Sequence, residues 1–406
     1  MYRPWSNDEF VIRFMAYHKR NSRPVFRSHF EDQPMSLSML LSRRNLLSCV
    51  AVSSLLAIGG AAQAAEYVAS TGDYAFIEGD AAQLGGVKRV IITNFVVAFQ
   101  LDGSMRKDNA TKVGGFTLFG GNTKEVAAKM DWKTPDTAVM QGIADAGLAA
   151  LKAEFKTRGI EVLDESVLAN QPAYASILEA TGLKNLDDYS IVNIPEAEYR
   201  KSSVGPDVTG TAKIVSAKGF TPYGHSAFEG GLCCHVRKGY PSSKVYYVPG
   251  FEIDIAKALD AVVVKAWQYV YFTQMDAGVS RESFSGGSVV NFNASAKSAL
   301  RIGEQKTRLS FRLPTSTNKT RNIPADWAPK DGDVVVSLSK PVLIGDQYYS
   351  VDDAGTTTGQ DIRASLGGTQ NFNFSATLSN PAAYKTDLSK GIGGVLGGLA
   401  GTALGR

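Results

Sequence analysis

The spacing of apolar positions changes character along the chain, and the change falls near residue 262. Before it, Lys88 to Gln100 carries Val90-Ile91-Ile92 and Phe95-Val96-Val97, a nearly continuous β-branched and aromatic run that predicts a strand buried on both faces. Residues 102–131 are Gly-rich and polar and predict a long loop or a loose hairpin. Thr134-Pro135-Asp136 then supplies an N-cap, a proline at the first helical position and an early acid. Met140, Ile143, Gly147, Leu148, Leu151 and Phe155 follow at helical spacing, and Lys156, Arg158 and Gly159 close the helix. Ile160 to Leu163 predicts a short strand and Pro172 to Thr181 a second helix stopped by Gly182. Strand, helix, strand, helix is the order of a layered α/β unit.

From Val262 the period becomes two. Val262, Val264, Ala266, Val270 and Phe272 share one face of a long strand whose other face carries Trp267, Tyr269 and Tyr271. Val290, Phe292, Ala294, Ala296, Leu300 and Ile302 alternate with polar residues. After a turn at Gly303 to Lys306, Leu309, Phe311 and Leu313 alternate with Arg308, Ser310 and Arg312, which predicts an antiparallel hairpin with one wet face. Further strands are expected at 334–338, 342–344, 348–351 and 371–378, and 324–333 reads as a loop. The fold class expected is α+β: an amino-terminal layered α/β unit over residues 65–260, a mainly antiparallel β region over 261–380, and a glycine-rich tail or helix over 381–406.

Ahead of these elements lies an export leader. Arg43 and Arg44 precede an apolar stretch, Leu46 to Ile58, and small residues follow through Ala64, the layout of a signal peptide beginning near Met35 or Met39 and cleaved before Ala65. The apolar core is too short to span a bilayer stably, which favours cleavage over anchoring. Ser42-Arg43-Arg44-Asn45-Leu46-Leu47 fits either an ordinary secretory leader or a twin-arginine one. Residues 1–34 read as upstream sequence from a start codon assigned too early. Cys49 precedes most of the apolar core rather than following it, so lipidation is not expected. The location implied is the periplasm, the outer membrane or the outside of the cell.

Removing the leader changes the charge balance. The full chain carries 43 Lys and Arg against 39 Asp and Glu, but residues 1–64 hold 8 and 4 of them, which leaves 35 of each. A neutral mature chain offers no electrostatic warrant for nucleic acid. With 44% apolar and 20% charged residues the composition is that of an ordinary globular protein.

Candidate chemistry is sparse. His225, Cys233, Cys234 and His235 are the histidines and cysteines left after the leader, close together in sequence, and imidazole with thiolate is a natural zinc or copper set. Adjacent cysteines speak against it, since paired zinc cysteines are usually two to four residues apart; a Gly-rich loop with a vicinal disulfide or free thiols is the plainer reading. Gly224-His225-Ser226 begins like a hydrolase nucleophile elbow, but Phe228 stands where the second glycine belongs. A thiol–histidine nucleophile pair lacks an identifiable third group. Asp187-Asp188 and Asp352-Asp353 read as solvated turns. No phosphate-binding glycine loop, dinucleotide fingerprint or calcium loop is present, and no cofactor or catalytic residue is assigned.

Gly393, Gly397, Gly401 and Gly405 recur every fourth residue in an apolar run and form one stripe on a helix, the kind of surface that lets two helices approach closely. The uncharged stretch 391–405 is only about 22 Å long as a helix against a hydrocarbon core of about 30 Å. It therefore reads as a flexible tail, or as a helix associating with a membrane or another subunit.

Val90-Ile91-Ile92-Thr93-Asn94-Phe95, the amphipathic helix through Leu148 and Leu151, and Gly159-Ile160-Glu161-Val162-Leu163-Asp164 resemble the first α/β unit of the curli-secretion channel lipoproteins and of the Tol-system periplasmic protein's amino-terminal domain. Ala261-Val262-Val263-Val264 looks like that unit's next strand. The resemblance covers about a third of the mature chain and lacks the family's lipidation cysteine. It implies a noncatalytic envelope protein that assembles with itself or with other envelope components. A secreted ligand-binding module using the aromatic face of the Trp267 strand, and a secreted enzyme, are the other classes open at this point.

Overall fold

The computed structural model describes residues 74–108, 112–113, 116–117, 124–181, 207–209, 212–223, 247–284, 287–303, 307–317, 331–358 and 368–405. All of them belong to one unit, Leu56–Arg406. The segment expected to be an export leader, the residues before it, and His225, Cys233, Cys234 and His235 lie outside the described residues. The first half contains β1 (Ala75–Glu78), β2 (Arg89–Gln100), β3 (Asp102–Asp108), β4 (Lys112–Val113), β5 (Phe116–Thr117), β6 (Lys124–Trp132), α1 (Thr137–Thr157), β7 (Glu161–Val162), α2 (Pro172–Thr181), β8 (Asp207–Thr209) and β9 (Ala212–Ser216). The second half contains α3 (Val248–Leu259), β10 (Val262–Phe284), β11 (Gly287–Ile302), β12 (Arg308–Arg312), β13 (Asp333–Leu338), β14 (Val342–Gly345), β15 (Tyr349–Thr358), β16 (Gly368–Leu378) and α4 (Pro381–Leu404). The fold is α+β.

The layered α/β unit is built on β2, whose β-branched run is buried on both faces. It pairs in parallel with β7 on one side and with β10 on the other, so the strands 90–95, 161–162 and 262–264 lie side by side. Asp136, rather than Thr134, caps α1: its carboxylate accepts from the Ala138 and Val139 amides at 2.9 and 3.1 Å, which leaves Pro135 ahead of the cap. Gly159, at φ +73°, takes the left-handed conformation that ends the helix. α1 and α4 cover one face of the sheet. Phe95 meets α1 at Gly147, whereas its neighbour Asn94 points the other way, to Tyr223 and the α2–α3 side.

The hairpin expected between 290–302 and 309–313 is not formed. β11 and β12 run end to end along β10, pairing Val270 with Ile302 and Trp267 with Arg308, so residues 303–307 interrupt one long partner strand. The true hairpin is β10 with β11, closing at Phe284 and Gly287. On β11 the expected wet face is present, with Asn293, Ser295 and Lys297 exposed, but on β12 it is dry, because Arg308, Ser310 and Arg312 are only 4%, 5% and 2% exposed. Of the two readings of 102–131, the hairpin is the one found: β3 pairs with β6. They join β16, β15 and β8 in a second sheet, in the order β15-β16-β6-β3-β8. β10 pairs with β2, and β16 with β6, so the stretches before and after residue 260 share both sheets. The upper halves of β10 and β11 stack on the second sheet, with Met275, Ala277, Phe292, Ala294 and Ala296 turned into the common core.

The glycine-rich terminus is the 24-residue helix α4, with Leu388, Ile392, Val395, Leu396 and Leu399 buried. Burial on α1 and the sheet outweighs the helix-weakening effect of its glycines. Among the described residues no helix is long and apolar enough to cross a membrane.

Candidate functional site

Five segments meet beneath α3 on the face of the first sheet opposite α1. Residue alternation puts Lys265 of β10, Arg308, Ser310 and Arg312 of β12, and Asp333 of β13 on this face, and the register sets Lys265 against Ser310 and Arg312 against Asp333. α3 begins with Pro249 in its first turn and lowers Glu252, fully buried, onto these groups. Lys265 Nζ lies 3.0 Å from Glu252 Oε1 and 3.1 Å from Oε2. Arg312 Nε stands 3.0 Å from Oε2 and 3.6 Å from Asp333 Oδ1; it is out of line for a hydrogen bond there, so these are charge contacts. The Ser316 hydroxyl donates to Asp333 Oδ1 at 2.9 Å.

The other side of Glu252 is fixed by Tyr223. Its hydroxyl donates to Glu252 Oε1 at 2.9 Å, so the Thr93 hydroxyl, 2.7 Å away, must be the donor in that second contact. Asn94 donates from Nδ2 to the Tyr223 carbonyl at 2.9 Å. Thr93 holds this position because β2 carries a bulge there, which the register marks between Val264 and Lys265. Burial raises the Tyr223 phenol well above its ordinary pKa, and the adjacent Glu252 carboxylate raises it further, so the ring stays a neutral donor.

Chemically this is a carboxylate held by two cations and a phenol. Glu252, Lys265 and Arg312 are 0–3% exposed, so a substrate does not reach them in this state. The arrangement instead pins α3 to β10, β12 and β13, and pins the chain at Tyr223 to β2. The sequence reading missed Glu252, Lys265 and Asp333 as a group. The available signal was Lys265, a lone charge inside Val262-Val263-Val264-Lys265-Ala266-Trp267, together with two arginines four residues apart on one face of the 308–312 strand.

Of the sequence-derived candidates, Gly393, Gly397 and Gly401 face α1 of the same chain. A Cβ added to each would meet Ala150 Cβ at 3.0 Å, Glu154 Oε2 at 3.3 Å and Arg158 Nη2 at 2.8 Å. The stripe thus accommodates the Glu154–Arg158 ion pair, 2.6 Å, laid across α4. Gly405 is the left-handed C-cap, φ +63°. The aromatic face of the Trp267 strand is covered: Trp267 and Tyr269 stack at 6.5 Å and are 2% and 5% exposed, so it is not an open ligand-binding face. Among the described residues no His, Cys, Asp and Glu group has the makings of a metal site. No protein family, curated protein or solved structure was found to match the chain.

Proposed function

We propose that the mature chain is an exported, noncatalytic cell-envelope protein that acts by association at the periplasm or outer membrane, with further copies of itself or with other envelope proteins. The observation that carries this reading is the direction of the three hairpins. β10 runs parallel to β2, β3 continues β2 past Leu101, and β16 lies beside β6 and runs parallel to it, with β15 antiparallel on its outer side. The closing ends of β3–β6, β10–β11 and β15–β16 therefore point to the same end of the molecule. With 23 residues, β10 spans about 75 Å at strand rise, far more than its α/β unit needs. Such an extended β layer offers surface for assembly, and the export leader supplies the location. The charge cluster supports the same reading, since it braces the fold and is closed to substrate.

Fractionation of cells expressing the full chain, with amino-terminal sequencing and native mass, tests the proposal. The expected product begins near Ala65, sits in the envelope fraction and has a mass of several chains. A cytosolic product retaining residues 1–34, or a mature protein monomeric in both soluble and detergent extracts, overturns it.

A further inference from the structure

Pairing breaks at one level across four adjacent strands of the first sheet. In β10 the register slips at Phe272, which alone faces Ala299 and Leu300, so the extra residue lies on β11. In its partner, β11 gives way to β12 across 303–307, with the Gly303 amide donating to the Tyr269 carbonyl and the Thr307 hydroxyl accepting from the Tyr269 amide. One strand further out, β13 gives way to β14 across 339–341, the Leu338 amide donating to the Thr307 carbonyl. On the other side β2 passes through Leu101 into β3 and leaves the sheet, the Leu101 carbonyl accepting from the Trp132 amide. A bulge bends and twists a strand; bulges aligned in neighbouring strands bend the whole sheet along a line. Below this line the sheet is covered by helices, and above it by the second sheet.

One aromatic cluster spans the line. Phe272, which faces the bulge, lies 5.9 Å from Trp132 of β6 and 5.5 Å from Tyr349 of β15. Tyr384, from the first turn of α4, closes the group at 6.2 Å from Trp132 and 5.7 Å from Tyr349. Its polar atoms are poorly served: Trp132 Nε1 has no acceptor among the described residues, and the Tyr349 and Tyr384 hydroxyls lack hydrogen-bond alignment. Buried polar atoms in that condition weaken the packing that encloses them.

We propose that this line is a crease and the aromatic cluster its latch, so that the β layer above (β3, β6, β15, β16 and the upper halves of β10 and β11) opens as one cooperative unit while the α/β unit below stays folded. Opening bares the inner face of the β10–β11 hairpin.

Native-state amide exchange of the mature chain, followed by mass spectrometry through sub-denaturing urea, reads this directly. The upper strands are expected to share one opening isotherm, exchanging at least about tenfold faster than α1, β12 and β13. Trp132→Ala, which empties the latch, is expected to speed exchange of the upper unit by a further factor of about ten or more and leave the lower unit unchanged. Trp132→Phe, which keeps a ring and deletes the orphan N–H, is expected to slow the upper unit. A single isotherm for both halves of the wild-type chain overturns the proposal even where Trp132→Ala does not fold, and so does equal acceleration of both halves in that variant.

Discussion

At the residue scale the decisive group is Glu252, because so many partners depend on it. Neutralising it would take away the carboxylate that Lys265 and Arg312 share, and at 3% and 2% exposure water does not replace it. Removing one member of a buried ion cluster typically costs about 3–5 kcal/mol, a large part of a total stability of about 5–15 kcal/mol. Glu252→Gln is therefore expected to lower the urea midpoint by that equivalent, although the side chain is nearly isosteric. Lys265→Met in the same background should recover part of the loss, since it removes an uncompensated charge, and the two changes should be strongly non-additive. Additive effects, or a Glu252→Gln loss under about 1 kcal/mol, would show that the carboxylate is not the hub of the cluster.

At the element scale the α1–α4 contact separates two kinds of glycine. Gly147 is enclosed: an added Cβ would lie 2.7 Å from Ile392 Cγ2 and 3.1 Å from the Phe95 ring, both fixed in the core. Gly147→Ala should cost about 1–3 kcal/mol in overpacking, more than the gain of about 1 kcal/mol in helix propensity. At Gly397 the added Cβ meets only the Glu154 carboxylate, at 3.3 Å and free to shift, so Gly397→Ala should be neutral or stabilising by up to about 1 kcal/mol. Opposite signs in chemical denaturation are the expected outcome; equal effects would mean that α4 does not sit on α1 in this register. The legibility of the elements follows the same division between local and distant causes. α1, β2, β7 and α2 could be read because their periodicity and caps are local properties, and the strand from Val262 could be read from its period of two, though not its pairing. The dry face of β12 could not, because alternation of Arg308, Ser310 and Arg312 with apolar residues looks identical whether water or α3 covers it. Gly303 was misread as a hairpin turn. A Cβ there would come within 2.0 Å of Tyr271 Cε2, so the glycine serves the approach of an aromatic ring, and only the fold reveals that. The charge cluster was illegible for the same reason: Glu252 and Asp333 are far apart in sequence and meet only once α3 lies on the sheet.

At the scale of the whole molecule, buried tyrosines set its behaviour in alkali. Burial raises the Tyr174 phenol to about 12 and holds those of Tyr223, Tyr349 and Tyr384 well above their ordinary value. In the unfolded chain all four would ionise near the usual value of about 10. Below that pH both states keep the protons and the shifts are without consequence. Above it the unfolded chain releases protons that the folded one retains, so the unfolded state binds fewer and stability falls as pH rises. Each such group contributes a slope of about 1.4 kcal/mol per pH unit between its unfolded and folded values. Four together would exhaust an ordinary domain's stability within about one to two units above pH 10. The expected observation is a cooperative loss of near-ultraviolet dichroism coincident with a step in phenolate absorbance. Tyr384→Phe removes one of these phenols and also eases Tyr349, which Tyr384 helps to raise; since its hydroxyl has no aligned hydrogen bond to lose, stability near neutrality should be unchanged or slightly improved, and the alkaline midpoint should move upward. Phenolate absorbance that climbs smoothly ahead of unfolding would mean that these rings already meet water in the folded protein. The aromatic cluster at the crease and the donor to Glu252 would then both be more open than described.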